Sequence, residues 1–249
     1  MNEKGRVALI SGGARGIGAA AALALAQQGT KIVVNYAEQE AAAQGVVAQI
    51  KAHGGEAIAI RADVRDEEQV HRMVLQAEQT FGGIDILVSN ANMAFVMKPL
   101  LQMKWNEFSQ KLNDEMKAAF VLTQALAPAM IERQYGRLIY ISSSSSDLPT
   151  PYLGAHGVAK SALNSFVKYI AQEMGPYGIT ANTVSPGLVQ TDASRDTPQE
   201  VKDQIAVATP LQRVAVPDDI SGVIAFLASE ESRFLTGTCT HVNGGFLMQ

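Results

Sequence analysis

His156 and Lys160 stand four residues apart in a stretch of helical periodicity, so an imidazole and an ammonium group share one helix face. Imidazole is the side chain that exchanges protons most readily near neutral pH, and a neighbouring lysine disfavours its charged form. A run of five serines, Ser142 to Ser146, follows an apolar run and supplies hydroxyl groups. Near the N-terminus, Ser11-Gly12-Gly13-Ala14-Arg15-Gly16-Ile17-Gly18 links an apolar run to a helical stretch. Glycines in that context permit a tight turn and bring backbone amides close to a pyrophosphate, and the helix N-terminus adds positive potential for the anion. The chemistry implied is a bound dinucleotide beside a proton-exchanging side chain.

Short apolar runs alternate with longer helical stretches, which is the pattern of βαβ units and a parallel sheet. Strands are expected at Val7 to Ser11, Lys31 to Asn35, Ala57 to Arg61, Ile84 to Ser89, Arg137 to Ser142, Thr180 to Ser185 and Thr240 to Val242. Helices are expected at Gly16 to Gln28, Glu40 to His53, Asp66 to Phe81, Trp105 to Glu132, from near His156 to Gly175-Pro176, and Asp218 to Ser229. Pro217-Asp218-Asp219 and Gly175-Pro176 act as start and stop signals. The expected fold class is α/β: one Rossmann-like doubly wound parallel sheet of about seven strands with helices on both faces, in a single domain over residues 1–249.

Five segments, in this order, carry a resemblance. Gly12, Gly16 and Gly18 match Thr-Gly-x-x-x-Gly-x-Gly; Asp63-Val64 follows the third strand; Ser89-Asn90-Ala91-Asn92 follows the fourth; Ser185-Pro186-Gly187-Leu188-Val189-Gln190-Thr191 follows the sixth; Val242-Asn243-Gly244-Gly245 lies near the end. Together they resemble the short-chain dehydrogenase/reductase family, most nearly its β-ketoacyl-acyl-carrier-protein reductase branch. That resemblance implies a nicotinamide cofactor held by Gly12, Arg15, Gly16, Ile17, Gly18, Asn35, Asp63, Val64, Asn90, Ala91, Lys160, Pro186, Gly187, Val189 and Thr191, and interconversion of a carbonyl and an alcohol by hydride transfer. Asn35 ends the second strand where an acidic residue would repel a 2′-phosphate, and Arg15 can pair with phosphate, so NADP is expected rather than NAD.

In this family a Tyr gives the proton, a Lys lowers its pKa and holds the ribose, a Ser orients the carbonyl and an Asn completes a water relay. Carried onto this chain, Lys160 and Ser143 match and the Tyr position falls on His156. Asn92 replaces the last glycine of the Asn-Asn-Ala-Gly turn; asparagine is the non-glycine residue best suited to a left-handed conformation. Counting back from Phe120 puts Glu115 at the relay position, and counting from Trp105 leaves Asn113 as the competing assignment. Two readings of His156 stay open. It replaces the phenol as acid, held by Glu115; or its shorter reach, where about 1 Å can cost roughly a hundredfold in rate, leaves a non-catalytic NADP-binding homologue serving as a sensor or assembly subunit. Tyr152, with seven residues between it and Lys160, is a second candidate donor and would suit an enoyl reduction.

Composition narrows the partners. A net charge of −4, from 20 basic and 24 acidic residues without long runs, gives no footprint for nucleic acid and no polybasic membrane patch. The apolar run near the N-terminus is too short for a signal peptide or membrane span, and a lone cysteine, Cys239, forms no intrachain disulfide, so a cytoplasmic protein is expected. No metal site is expected. Substrate recognition is assigned to the segment after Thr191, with Phe95, Met97 and Met103 adding apolar surface for a carbonyl or acyl substrate. Arg133, Arg137 and Lys168 are too dispersed to define a surface for an acyl carrier. The resemblance implies a homotetramer built through the Trp105 to Glu132 and His156 to Gly175 helices.

Overall fold

The structure, a computed structural model, describes residues 5–248. Seven strands form one sheet: β1 Val7–Ile10, β2 Lys31–Tyr36, β3 Ala57–Arg61, β4 Ile86–Ser89, β5 Gly136–Ile141, β6 Ile179–Pro186 and β7 Cys239–Val242. Their spatial order is β3-β2-β1-β4-β5-β6-β7, and every pairing is parallel. β1 and β5 are buried along their whole length, as expected when helices cover both faces of a parallel sheet, and β1 is the wholly apolar Val-Ala-Leu-Ile.

Six helices supply that cover, α1 Gly16–Gln27, α2 Glu40–Ala52, α3 Glu67–Phe81, α4 Trp105–Arg133, α5 Gly154–Met174 and α7 Pro217–Ala228, while α6 Gln199–Ala208 borders the cleft. α1, α2 and α7 bury Leu25, Ile50 and Ile224 against one face; α3, α4 and α5 bury Met73, Leu122 and Leu163 against the other. Local chemistry sets the ends. The Asp66 side chain caps α3 by accepting from Gln69 N at 3.0 Å, and Asp219 accepts from Val216 N at 2.8 Å as α7 opens on Pro217.

All seven expected strands and six expected helices form within a few residues of their predicted bounds. α5 starts at Gly154, which puts His156 in its first turn. α6 lies in the segment after Thr191, and none of its residues is fully buried; Val201 and Ile205, one turn apart, face the cleft instead of the core. Chain order reverses between β1 and β4, and in open α/β sheets ligands bind at the carboxyl ends of strands beside such a switch point.

Candidate active site

A cleft of about 1200 Å³ opens at the carboxyl ends of the strands. At one end lie residues following β2 and β3, including Asn35, Glu38 and Asp63; at the other lie Ser143, His156 and Lys160. The glycine loop is in the middle and is laced to the end of β4. Ser11 Oγ accepts from Asn90 N at 2.9 Å and Ala91 N at 3.0 Å, and Asn90 Nδ2 donates to Ser11 O at 3.0 Å and Gly12 O at 3.1 Å.

A nicotinamide dinucleotide fits this loop. Gly12 and Gly16 hold φ of 60° and 56°, and a Cβ on Gly18 would stand 2.5 Å from Gly12 O and 2.6 Å from Asn90 Nδ2. Arg15, at the N-cap of α1, provides no side-chain cap, so no side chain at that position competes with an anion for the first helical amides. Pro186, Gly187, Val189 and Thr191 line the opposite wall. Ser194 Oγ fixes that segment by donating to Val189 O at 2.7 Å and accepting from Thr191 N at 3.0 Å.

At the adenosine end two expected contacts have other tasks as well. Asn35 is buried; its amide donates to Ala62 O at 3.0 Å and its Oδ1 accepts from Gly12 N at 3.4 Å, joining β3 to the glycine loop. Asp63 is gripped by Arg65 at 2.7 Å, and this hydrogen-bonded guanidinium holds the carboxyl below its usual range. Arg15 makes only a long ion pair with Asp192, 3.8 Å, with its side chain 59% exposed.

At the other end stands a cluster of buried charge. Glu115 lies between two ammonium groups: Lys160 Nζ donates to Oε1 at 2.5 Å and Lys111 Nζ to Oε2 at 2.6 Å. Lys160 also donates to Ile141 O at 2.7 Å; Lys111 donates to Met93 O at 2.8 Å and Asn92 Oδ1 at 2.9 Å. Burial pushes the Glu115 carboxyl up, but Lys160 and Lys111 outweigh it and the group stays below its usual range. Burial brings Lys111 down to about 8 despite Glu115.

Glu115 is thus buried behind the cleft wall on Lys160, without lining the cleft itself, and makes no hydrogen bond to His156. The His156 ring stacks on Phe95 with centroids 4.6 Å apart, and its Nδ1 is buried without a hydrogen-bond partner. Burial, reinforced by Lys160 and Lys111, pushes its pKa down to about 3, so the ring is neutral at neutral pH. Ser143 lines the cleft and starts a 3₁₀ turn, Ser144–Ser146, its Oγ accepting from Ser145 N at 3.2 Å.

Other expectations need correction. Asn92 is not left-handed, so its amide, and not its backbone tolerance, is what the turn uses. Tyr152 is 56% exposed, has a φ of 69° and does not line the cleft. Phe95 lines it, but Met97 and Met103 do not; Val201 and Ile205 of α6 and Phe246 supply apolar wall instead. Arg137 is buried and paired with Glu230 at 3.3 Å, and Arg133, itself partly exposed, donates to Ile84 O at 2.6 Å. Lys111 escaped sequence reasoning because a helical lysine normally faces solvent. Its only signal was the four-residue spacing to Glu115.

A family model described as enoyl-(acyl carrier protein) reductase matches residues 12–247. A 3-oxoacyl-[acyl-carrier-protein] reductase from Synechocystis is 36% identical over 244 residues, covering 98% of this chain and 97% of that relative. The chain belongs to the short-chain dehydrogenase/reductase family. It is an oxidoreductase of that type, and the family binds a nicotinamide cofactor. A Staphylococcus epidermidis relative with the same reductase name is 34% identical over 241 residues, covering 97% of this chain and 98% of the relative. Among solved structures, a dehydrogenase/reductase from Sinorhizobium meliloti aligns with a TM-score of 0.90 at 32% identity, over 99% of this chain and 97% of that one. Among the described residues, no helix is long and apolar enough to cross a membrane.

Proposed function

We propose that the chain acts as one cytoplasmic unit over residues 1–249 that reduces a carbonyl compound, β-ketoacyl thioesters among the candidates, with NADPH. The observation that carries this reading is a single cleft that joins a glycine cradle, suited to a dinucleotide, to Ser143, His156 and Lys160 beside an apolar wall. When bound, the nicotinamide would supply hydride to the carbonyl carbon. Ser143 orients the carbonyl oxygen through its hydroxyl. His156, neutral because its pKa is about 3, serves as a hydrogen-bond donor and not as a cationic acid. A proton on Nε2 spares the protein a buried unpaired N–H at Nδ1, and the Nε2–H donates a hydrogen bond to the developing alkoxide, which takes its proton from solvent in the open cleft.

His156→Ala is expected to lower turnover about tenfold to a thousandfold while NADPH affinity stays nearly intact; unchanged turnover would remove His156 from the chemistry. The deciding assay follows NADPH consumption against β-ketoacyl thioesters, diketones, aldehydes and enoyl thioesters, after fluorescence has established binding.

The engagement of Lys160 Nζ by both Glu115 and Ile141 O favours a second reading, a cofactor-binding protein without turnover. Binding with no consumption across the panel would select it.

The exposed Arg15 guanidinium and the neutral Asn35 support NADP over NAD. Glu38 lines the same end of the cleft. Removing its charge in Glu38→Gln is expected to tighten NADPH several-fold without changing NADH, and Arg15→Ala to weaken NADPH alone. Equal shifts for both cofactors, measured by competitive titration, would contradict the assignment. On α4 and α5, Trp105, Phe120 and Tyr169 are 75%, 51% and 68% exposed, which supports a homotetramer assembled through those helices.

A further inference from the structure

Cys239 and His241 are two residues apart on β7, so their side chains leave the same face of the sheet. They stand opposite Thr183 and Ser185 of β6, in step with Ile179 and Ala181, which pack into the core that α5 shares. From the turn that follows β5, Asp147 brings a carboxylate to the same place. A thiol sulfur, a ring nitrogen and a carboxylate oxygen thus lie within 4.8 Å of one another, and none of the three residues lines the cofactor cleft.

These groups are not satisfying one another. His241 Nε2 is 4.0 Å from Asp147 Oδ2, too far for a hydrogen bond, and His241 Nδ1 is buried without a partner. Cys239 has no disulfide partner, and burial pushes its thiol up in spite of hydrogen bonding with Thr183 and Ser185. We propose that Asp147, Cys239 and His241 form a binding site for a divalent cation of the zinc class.

The donor set selects the ion. Sulfur, imidazole nitrogen and a single carboxylate suit zinc, whereas magnesium and calcium prefer oxygen throughout. Around tetrahedral zinc, bonds of about 2.0–2.3 Å place ligand atoms roughly 3.3–3.8 Å apart, so the present spread closes with a contraction of about 1 Å. Asp147 is exposed and its side chain can swing; Ser146 Oγ donates to its Oδ2 at 2.6 Å and sets the carboxylate's direction. Solvent at that exposed side supplies the fourth ligand. Binding forms the metal–sulfur bond as the thiol proton leaves to water. The bound ion would tie the edge strand β7 to the turn that Ser143 begins.

The test is titration of reduced full-length protein with Co²⁺ followed by absorbance, then displacement by Zn²⁺. One ion per chain is expected, with a thiolate-to-cobalt charge-transfer band in the near ultraviolet. The band should vanish in Cys239→Ala, and zinc affinity should fall at least about tenfold in His241→Ala and Asp147→Asn. Absence of the band, or its persistence in Cys239→Ala, overturns the site. Circular dichroism checks folding of each variant; should the strand variants fail to fold, Asp147→Asn on its exposed turn decides, and zinc affinity equal to the parent's overturns the proposal.

Discussion

Glu115→Gln is expected to destabilise the protein by about 3–5 kcal/mol near neutral pH, because it removes the one carboxylate between two buried lysines and leaves their charges uncompensated. The amide can accept from only one ammonium, and its own N–H groups oppose the other. The loss should have a distinctive pH dependence. Lys111, already down at about 8 with Glu115 present, gives up its proton more readily without it, so the variant should regain stability as pH rises above neutrality. Urea midpoints for parent and variant across pH check this. A variant as stable as the parent at neutral pH would show that the carboxylate is not what holds the lysines in the interior.

His156 should make the protein acid-sensitive. Its folded pKa of about 3 lies below the 6.5 of an unfolded chain, so between those values the unfolded state binds a proton that the native state refuses. Stability therefore rises with pH through that window and is lost as pH falls. At about pH 4 the penalty is roughly 3 kcal/mol. His156→Phe keeps a ring against Phe95 but cannot titrate, so relative to the parent it should gain roughly that amount between about pH 7.5 and pH 4, while carboxylate contributions cancel in the difference. A parent–variant difference that stays constant over the range would mean that the imidazole takes up its proton without cost. The turnover profile should likewise show no step near the ordinary histidine pKa.

Much of the architecture was legible because burial on both faces turns central strands such as β1, β2 and β4 into apolar runs, and because Gly175-Pro176 and Pro217 punctuate helices. The bounds of α6 were not, since a helix beside a cleft, with no fully buried residue, shows only the short Val201–Ile205 stripe. In the site, Ser143, His156 and Lys160 could be placed by motif spacing, and the structure lines one cleft with all three. The partner of Glu115 could not. Sequence offers His156 as its neighbour, but Lys111 reaches Glu115 from one turn earlier on α4 and meets Asn92 from the next loop, a contact that only the fold creates. The roles of Asn35 and Asp63 as internal braces were hidden for the same reason: their partners, Ala62, Gly12 and Arg65, are set by loop geometry.

The pairing of β1 also bears on how the chain is made. Ala8 lies beside Ile32 on one side and Ile86 on the other, so one margin of this wholly buried strand is matched early and the other only after a much longer stretch of chain exists. During synthesis that second margin, with its open N–H and C=O groups and its Val-Ala-Leu-Ile side chains, is a place where another strand could add. Folding should accordingly be slowed by this long-range closure, and a nascent chain stopped before Ile86 should be more prone to aggregate than one extended beyond Ser89.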